Sequence, residues 1–413
     1  MPHALLLTPW YPPSPGGAET YARRLFLHTR EYGWTTTVAT DGRAAPPPGA
    51  APADHPGVLR LTRYADQLAD PRRVAWRSMQ FAVLDELAEA AAGAAAPDIV
   101  HANSIETAVL GRMIADHHDV PLVATIHEHA PQAAAYGRGR TRLAFRRLAP
   151  DAVIAPSGFY RDRALAEGVP ADRVHLIEHG VEAPAAAPPR PPDGHGPGWG
   201  LPADSWVALS VGRIYRPKGT LELVRAAAAA RAALPRLRVV VVGPDGPSDY
   251  ARHVRAEARR LGLADTVVFA GPHPPDTMAR VLARADAVVA PSLTEGFGLA
   301  VAEAMGLGRP VVAAAVGGLA DMVTDGRDGL LVPPGDVGAL AAALVRLAGD
   351  PDLAARLGAA ARRTVLRRYT VVRMAAQTAA VYDRLTGAGP RTARRDVHRH
   401  RTAPLPQPTG ESA

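Results

Sequence analysis

The sequence predicts an α/β protein built from two doubly wound domains, and three observations carry that prediction. A strand, a glycine-containing loop and an amphipathic helix open the chain over residues 3–32, and the same order restarts over residues 206–234. Between the two halves runs a Pro/Gly-rich stretch, 183–202, without apolar periodicity. A chain of 413 residues exceeds what one hydrophobic core usually serves, and 47% hydrophobic residues suffice to fill two cores.

Composition removes several function classes. There is no cysteine, so disulfides, thiolate metal sites and cysteine nucleophiles are excluded. No run approaches the roughly eighteen uninterrupted apolar residues of a membrane span, and the first ten residues lack a basic region followed by an apolar one. The expectation is a cytoplasmic protein with at most peripheral membrane contact. Net charge is +7, but residues 389–413 hold five arginines against Asp396 and Glu411, which is +3 and leaves +4 for the rest. That tail, rich in Pro, Thr and Arg, reads as disordered, and a body so mildly basic needs no nucleic-acid partner. Of 47 basic residues only Lys218 is lysine, leaving 46 arginines, which makes Lys218 a position to inspect.

In chain order, 3–8 is the first strand, Gly16 and Gly17 end a loop, and 18–32 is a helix. Backbone N–H groups of such a glycine pair can meet a phosphate at the helix start, the plainer alternative being a simple turn. Residues 34–40 form a strand, 45–57 a long loop and 72–92 a helix. The strand 98–102 then leads to Asn103, the sole asparagine. With Glu106, Asn103 fits a capping box for a helix over 104–115, or else a polar contact to an acceptor. Strand 122–126 delivers His127, Glu128 and His129 at its carboxyl end. Neighbours on an extended chain point to opposite sides, so a cleft-lining role for His127 fits better than a metal site. The arginine-rich helix 138–149 suits packing beneath the strand at 152–155, with an anionic membrane surface as the alternative.

In the second half, 206–211 is a strand, 212–219 a loop bearing Arg213 and Lys218, and 220–234 a helix. A strand at 237–242, a helix at 250–261, a strand at 266–270 and a helix at 276–284 follow. Next comes the stretch on which the reading turns, a strand at 286–290, a loop holding Glu295, Gly296, Phe297 and Gly298, and a helix from Leu299 that carries Glu303. In an open α/β sheet such a loop lies at the strands' carboxyl end, where ligands sit. Two glycines let the backbone approach an anion, and each carboxylate can accept from a vicinal diol. Two solvated glutamates beside a turn are the bland alternative. Strands near 311–315 and 329–332 and helices near 336–348, 351–367 and 370–386 complete the body. Arg213 and Lys218 at the same strand ends as Glu295 and Glu303 fit a diphosphate with hydroxyls on either side.

The spacing of Gly-Gly-Ala-Glu (16–19), Val-Gly-Arg with Pro-Lys-Gly (211–219), Pro-Ser with Glu-Gly-Phe-Gly and Glu (291–303), and Gly-Gly-Leu with Asp-Gly and Gly-Leu-Leu-Val (317–332) resembles the retaining glycosyltransferases of family 4. The resemblance covers nearly the whole chain apart from the loop 45–57, the linker and the tail. It implies a GT-B fold, with an acceptor-side domain (1–182), a linker (183–202), a nucleotide-sugar domain (203–369) and a last helix (370–388) crossing back to the first domain. It implies transfer from a UDP- or GDP-linked sugar to an acceptor hydroxyl, with no cofactor and no metal. The acceptor would be a small molecule, a lipid-linked molecule or a glycan. Arg213 and Lys218 would hold the diphosphate, Glu303 the ribose, Glu295 with the Phe297–Leu299 backbone the sugar, and His127 would face the reaction centre. Many relatives have histidine where Asn103 stands, so its acceptor-side role is a departure from the pattern. A sugar-nucleotide epimerase of the same fold is the nearest alternative. A dinucleotide oxidoreductase lacks the third glycine of its fingerprint here, and a nucleic-acid binder would need its charge on one folded face.

Overall fold

The structure is a computed structural model and describes residues 1–12, 16–41, 57–61, 84–88, 95–127, 143–184, 199–246, 248–274 and 277–387. The loop 45–57 except Gly57, most of the helix expected over 72–92, Glu128, His129, Arg138 to Arg142, most of the linker and the tail 389–413 lie outside the described residues.

The first domain is a seven-stranded parallel sheet of order β3-β2-β1-β4-β5-β6-β7. Its strands are β1 (His3–Leu7), β2 (Thr35–Asp41), β3 (Val58–Leu61), β4 (Ile99–Ala102), β5 (Leu122–Thr125), β6 (Ala152–Ala155) and β7 (Val174–Leu176). The second is a six-stranded parallel sheet of order β10-β9-β8-β11-β12-β13. Its strands are β8 (Trp206–Val211), β9 (Leu237–Val242), β10 (Val267–Gly271), β11 (Ala287–Ala290), β12 (Val311–Ala314) and β13 (Leu330–Val332). In each sheet the order reverses once, between β1 and β4 and between β8 and β11. There the connections leave in opposite directions and open a crevice at the carboxyl ends.

The continuous apolar runs follow from burial on both faces. In β9, Val239 and Val241 pack into one core while Val240 and Val242 pack into another, as a period of two requires. Likewise Ala4 and Leu6 of β1 face one layer, and Leu5 and Leu7 the other.

The first domain's helices are α1 (Gly17–His28), α2 (Ile105–His118) and α3 (Gly158–Ala166). Those of the second are α4 (Thr220–Ala230), α5 (Tyr250–Arg260), α6 (Met278–Ala283), α7 (Leu299–Gly306), α8 (Gly317–Met322), α9 (Val337–Gly349) and α10 (Pro351–Arg368). The sequence reading lacked α3 and α8. The described part of the arginine-rich segment, 143–147, is a single π-helical turn whose Ala144 and Phe145 are buried, so that part packs inward. Trp199 and Leu201, at the end of the expected linker, are buried in the second domain's core.

The last helix, α11 (Val371–Thr386), packs on the first domain. Met374, Ala379 and Tyr382 share a core with Tyr21 and Trp34, and the Trp34 indole donates to Asp383 at 2.8 Å. The chain crosses between domains twice, side by side. Val181 N–H donates to the Tyr369 carbonyl at 2.7 Å, and a Cβ on Gly180 would lie 2.4 Å from the Val371 Cα.

Candidate active site

Both crevices face one cleft, and each half is built by loops that leave strand ends. On the second domain, β8 ends at Val211 and the chain turns through a 3-10 segment (Arg216–Lys218) into Gly219, whose φ is +65°. A Cβ there would sit 1.9 Å from the Pro291 carbonyl oxygen, so only glycine lets this loop nest on the one following β11. The Leu293 N–H donates to the Pro217 carbonyl at 2.8 Å and completes the join. The join delivers Lys218 to Glu295, with Nζ donating to Oε2 at 2.5 Å, and Ser292 Oγ donates to the same oxygen at 3.3 Å.

Burial works against the Lys218 charge, but the Glu295 carboxylate outweighs it, and the ammonium's pKa is raised although Arg213 opposes. Glu295 is buried, whereas Arg213 is exposed, with its guanidinium 5.3 Å from the centre of the Tyr215 ring. The space bounded by Arg213, Lys218, Ser292, Glu295 and Leu299 is only about 30 Å³.

The loop from Glu295 to Gly298 is held at its carbonyls. Gly318 N–H donates to the Glu295 carbonyl at 3.1 Å, and Ser157 of the first domain donates through Oγ to the Gly296 carbonyl at 2.6 Å. Gly298, at φ +94°, turns the chain into α7. Glu303, further along that helix, is gripped by Arg24 of α1. Nη2 donates to Oε1 at 2.7 Å, while Nη1 donates to the Gly180 carbonyl at 3.0 Å.

On the first domain, Asn103 follows β4 and His127 follows β5. The capping reading of Asn103 is corrected. Ser104 is the N-cap, accepting the Thr107 N–H at 3.1 Å, and Asn103 is fully buried between β1, α1 and His127. Its amide nitrogen donates to the Ala18 carbonyl and to Thr8 Oγ1, both at 3.2 Å. A carbonyl can only accept, so the amide oxygen must face His127 Nε2 at 2.7 Å, and that nitrogen carries the proton. In the neutral ring Nδ1 then holds the lone pair. Tyr160 pins the His127 backbone by donating to its carbonyl at 2.8 Å.

His127 stacks on His179 with ring centres 5.1 Å apart and planes 3° from parallel, and His179 meets Phe297 edge-on at 4.9 Å. A ring contact path thus runs from the first domain into the loop that follows β11. Gly16 and Gly17 head α1. A Cβ on Gly16 would strike the Glu19 carboxylate at 2.1 Å, so that carboxylate folds over the glycine, and one on Gly17 would face Leu299 at 4.0 Å. Burial pushes the Glu19 carboxyl up in pKa, against a bond from its own amide and the charge of Arg213.

The described candidates Gly16, Gly17, Asn103, His127, Arg213, Lys218, Glu295 to Leu299 and Glu303 thus lie on the loops and helix starts at the strands' carboxyl ends, and Lys218 pairs directly with Glu295. Sequence reasoning gave no role to Glu19, Tyr21, Arg24, Ser157, Tyr160 and His179. Two of them had a readable signal, Glu19 as the last residue of the Gly-Gly-Ala-Glu motif and His179 by its place between a strand's carboxyl end and Gly180. Among the described residues no group of three or more His, Asp or Glu is placed to hold a metal ion, and no helix is long and apolar enough to cross a membrane.

Residues 206–350 match the family described as Glycosyl transferases group 1, and residues 15–183 match Glycosyltransferase Family 4. The chain belongs to glycosyltransferase family 4. The chain is 36% identical over 304 residues to the D-inositol 3-phosphate glycosyltransferase of Thermomonospora curvata, covering 67% of this chain and 69% of that protein. It is 36% identical over 278 residues to the Acidothermus cellulolyticus protein of the same name, covering 63% of this chain and 61% of the relative. Among solved structures, the sucrose-phosphate synthase of Thermosynechococcus elongatus superposes with a TM-score of 0.76 at 27% identity, over 94% of this chain and all of that one. Anabaena HepE in complex with UDP and glucose superposes with a TM-score of 0.75 at 23% identity, over 93% and 100%, and shares the GT-B fold.

Proposed function

We propose that the transferase moves a hexosyl group from a UDP- or GDP-linked donor to an acceptor hydroxyl in the cytoplasm, with retention of anomeric configuration and without a resident metal. The observation that carries this is the Lys218–Glu295 pair beside Arg213 at the second sheet's reversal point, facing Asn103 and His127 across the cleft. The relatives' names and the UDP and glucose complex of HepE support a sugar-nucleotide donor and a polyol phosphate as one acceptor to try.

Lys218 has three N–H donors, so it can keep one on Glu295 and turn another to a phosphate oxygen. Its raised pKa keeps it charged at neutral pH. Glu295 accepts from the sugar hydroxyls, and Glu303, shared with Arg24, accepts from the ribose. When the bond from the anomeric carbon to the phosphate oxygen breaks, Arg213 and Lys218 stabilise the charge gathering on the diphosphate. The acceptor oxygen bonds to the same face of that carbon, and its proton passes to the departing phosphate. No side-chain nucleophile is required. Sites for ligands of this size are typically about 300 Å³ or more, so the cleft widens to admit the donor.

The test is incubation with UDP-glucose, UDP-N-acetylglucosamine or GDP-mannose and a set of polyols that includes inositol 3-phosphate. Released nucleotide is measured by chromatography, and the product's anomeric configuration by NMR, with and without EDTA. The expected result is a retained product formed equally well in EDTA. Inversion, loss of activity in EDTA restored by a divalent ion, or epimerised donor without transfer would overturn the proposal.

A further inference from the structure

A second cavity, of about 410 Å³, lies away from the cleft. It sits where the turn holding Arg327 enters β13 at its amino end, opposite the carboxyl ends that form the active site, and α10 forms its wall. Arg356, Arg363 and Arg367 are spaced by seven and four residues, which puts them on one face of α10. Arg327 closes the ring of cations from the turn.

These four exposed arginines differ from their neighbours. Arg362 and Arg368 on the same helix are engaged, the first by the Gly306 and Pro184 carbonyls and the second by Glu178. Among the described residues, Arg327, Arg356 and Arg363 have no hydrogen-bond or ion-pair partner, and Arg367 has only the Thr364 hydroxyl at 3.5 Å. The acid beside Arg327, Asp328, is buried and turned inward. It accepts the Thr364 hydroxyl at 2.8 Å and the Thr324 N–H at 2.7 Å, so both its oxygens are engaged by uncharged donors and neither pairs with the cavity's arginines. Buried Leu357 gives the cavity an apolar floor.

Four guanidinium groups converging on one hollow repel each other, and an anion placed among them relieves that repulsion. Their forked donors match phosphate oxygens. The volume exceeds that of a lone phosphate ion and suits an organic skeleton carrying several charges. We propose that this cavity is a second ligand site that binds the phosphate groups of a multiply phosphorylated molecule, at the edge of the second domain remote from the reaction centre. The phosphates belong either to a soluble small molecule or to a lipid headgroup.

The test uses the full chain and inorganic tripolyphosphate as the probe, followed by calorimetry, with sedimentation on vesicles containing a phosphatidylinositol bisphosphate as a second arm. R363Q/R367Q should weaken tripolyphosphate binding by about 10-fold or more, the scale of losing charge-assisted contacts. R327Q, on a different element, should weaken the same event, which a local distortion of α10 would not do. Lys218→Gln, which removes a cleft cation, should leave that event in place, and R363Q/R367Q should transfer sugar at the wild-type rate without the probe. Arginine-dependent sedimentation without tripolyphosphate binding would assign the phosphate to a headgroup. If R363Q/R367Q binds both probes as tightly as wild type, or if Lys218→Gln alone abolishes binding, the proposal is wrong.

Discussion

Lowering the pH from 7 to 5 should weaken the fold through one residue, His101. It lies in β4, fully buried, with Nδ1 2.5 Å from the Tyr382 hydroxyl on α11 and Nε2 2.7 Å from Thr125 Oγ1. Both ring nitrogens are engaged and no carboxylate is among these partners. Burial therefore pushes the imidazole pKa down from 6.5 to about 3. The unfolded chain takes up the proton near pH 6.5 and the folded one near 3, so stability is full above the first value and falls as pH drops between the two. At about 1.4 kcal/mol per pH unit, the step from pH 7 to 5 costs about 2 kcal/mol. For a domain of this size that corresponds to about 4–8 °C in melting temperature. Other histidines and carboxylates titrate over the same range, so the comparison is between wild type and His101→Gln, each melted at both pH values. Wild type should lose about 2 kcal/mol more than the variant. Equal losses would show that the imidazole is not held neutral in the fold.

Three further predictions concern the cleft. Glu295→Gln removes the Lys218 counter-charge and a sugar acceptor, so kcat/KM should fall by ~10²-fold while UDP affinity, read by calorimetry, barely moves; an equal fall in both would mean that Glu295 and Glu303 have exchanged roles. Lys218→Arg keeps the charge but replaces a compact ammonium with a planar fork in a narrow space, and should lower kcat by ~10-fold or more, whereas wild-type kinetics would remove Lys218 from the reaction. Arg24→Ala leaves Glu303, about a fifth exposed, without its partner, and should lower stability by about 1 kcal/mol in urea unfolding, with Arg24→Lys recovering part of it. No change in the Ala variant would make the pair a surface contact.

Burial pattern decided what could be read from sequence. Runs such as Val239–Val242 are apolar throughout because both faces of a parallel sheet are covered, and they announced themselves. The helices α3 and α8 did not, because each is short and begins with glycine. Asn103 and Ser104 are adjacent residues of capping type, and only the packing of α1 against β4 decides which one caps. Lys218 and Glu295 could be named separately, but they stand 77 residues apart and nothing in the sequence measured their contact. Arg24 was one arginine among 46, and its partner lies 279 residues away.

The paired crossings at Val181 and Tyr369 have a mechanical consequence. Two bodies joined at a single point keep every rotation, and joining them at a second, distant point leaves only one. Here both strands pass through nearly the same spot, so the lobes behave as if on one ball joint. They can tilt and twist, but neither can slide past the other, because Gly180 leaves no slack beside Val371. What chooses one angle among the many allowed must then lie off the pivot, in contacts such as Arg24 on Glu303, Ser157 on the Gly296 carbonyl and the Phe159 N–H on Asp321. The first two end on the helix and loop assigned to the donor, so whatever occupies that half of the cleft also bears on the angle at which the other half meets it.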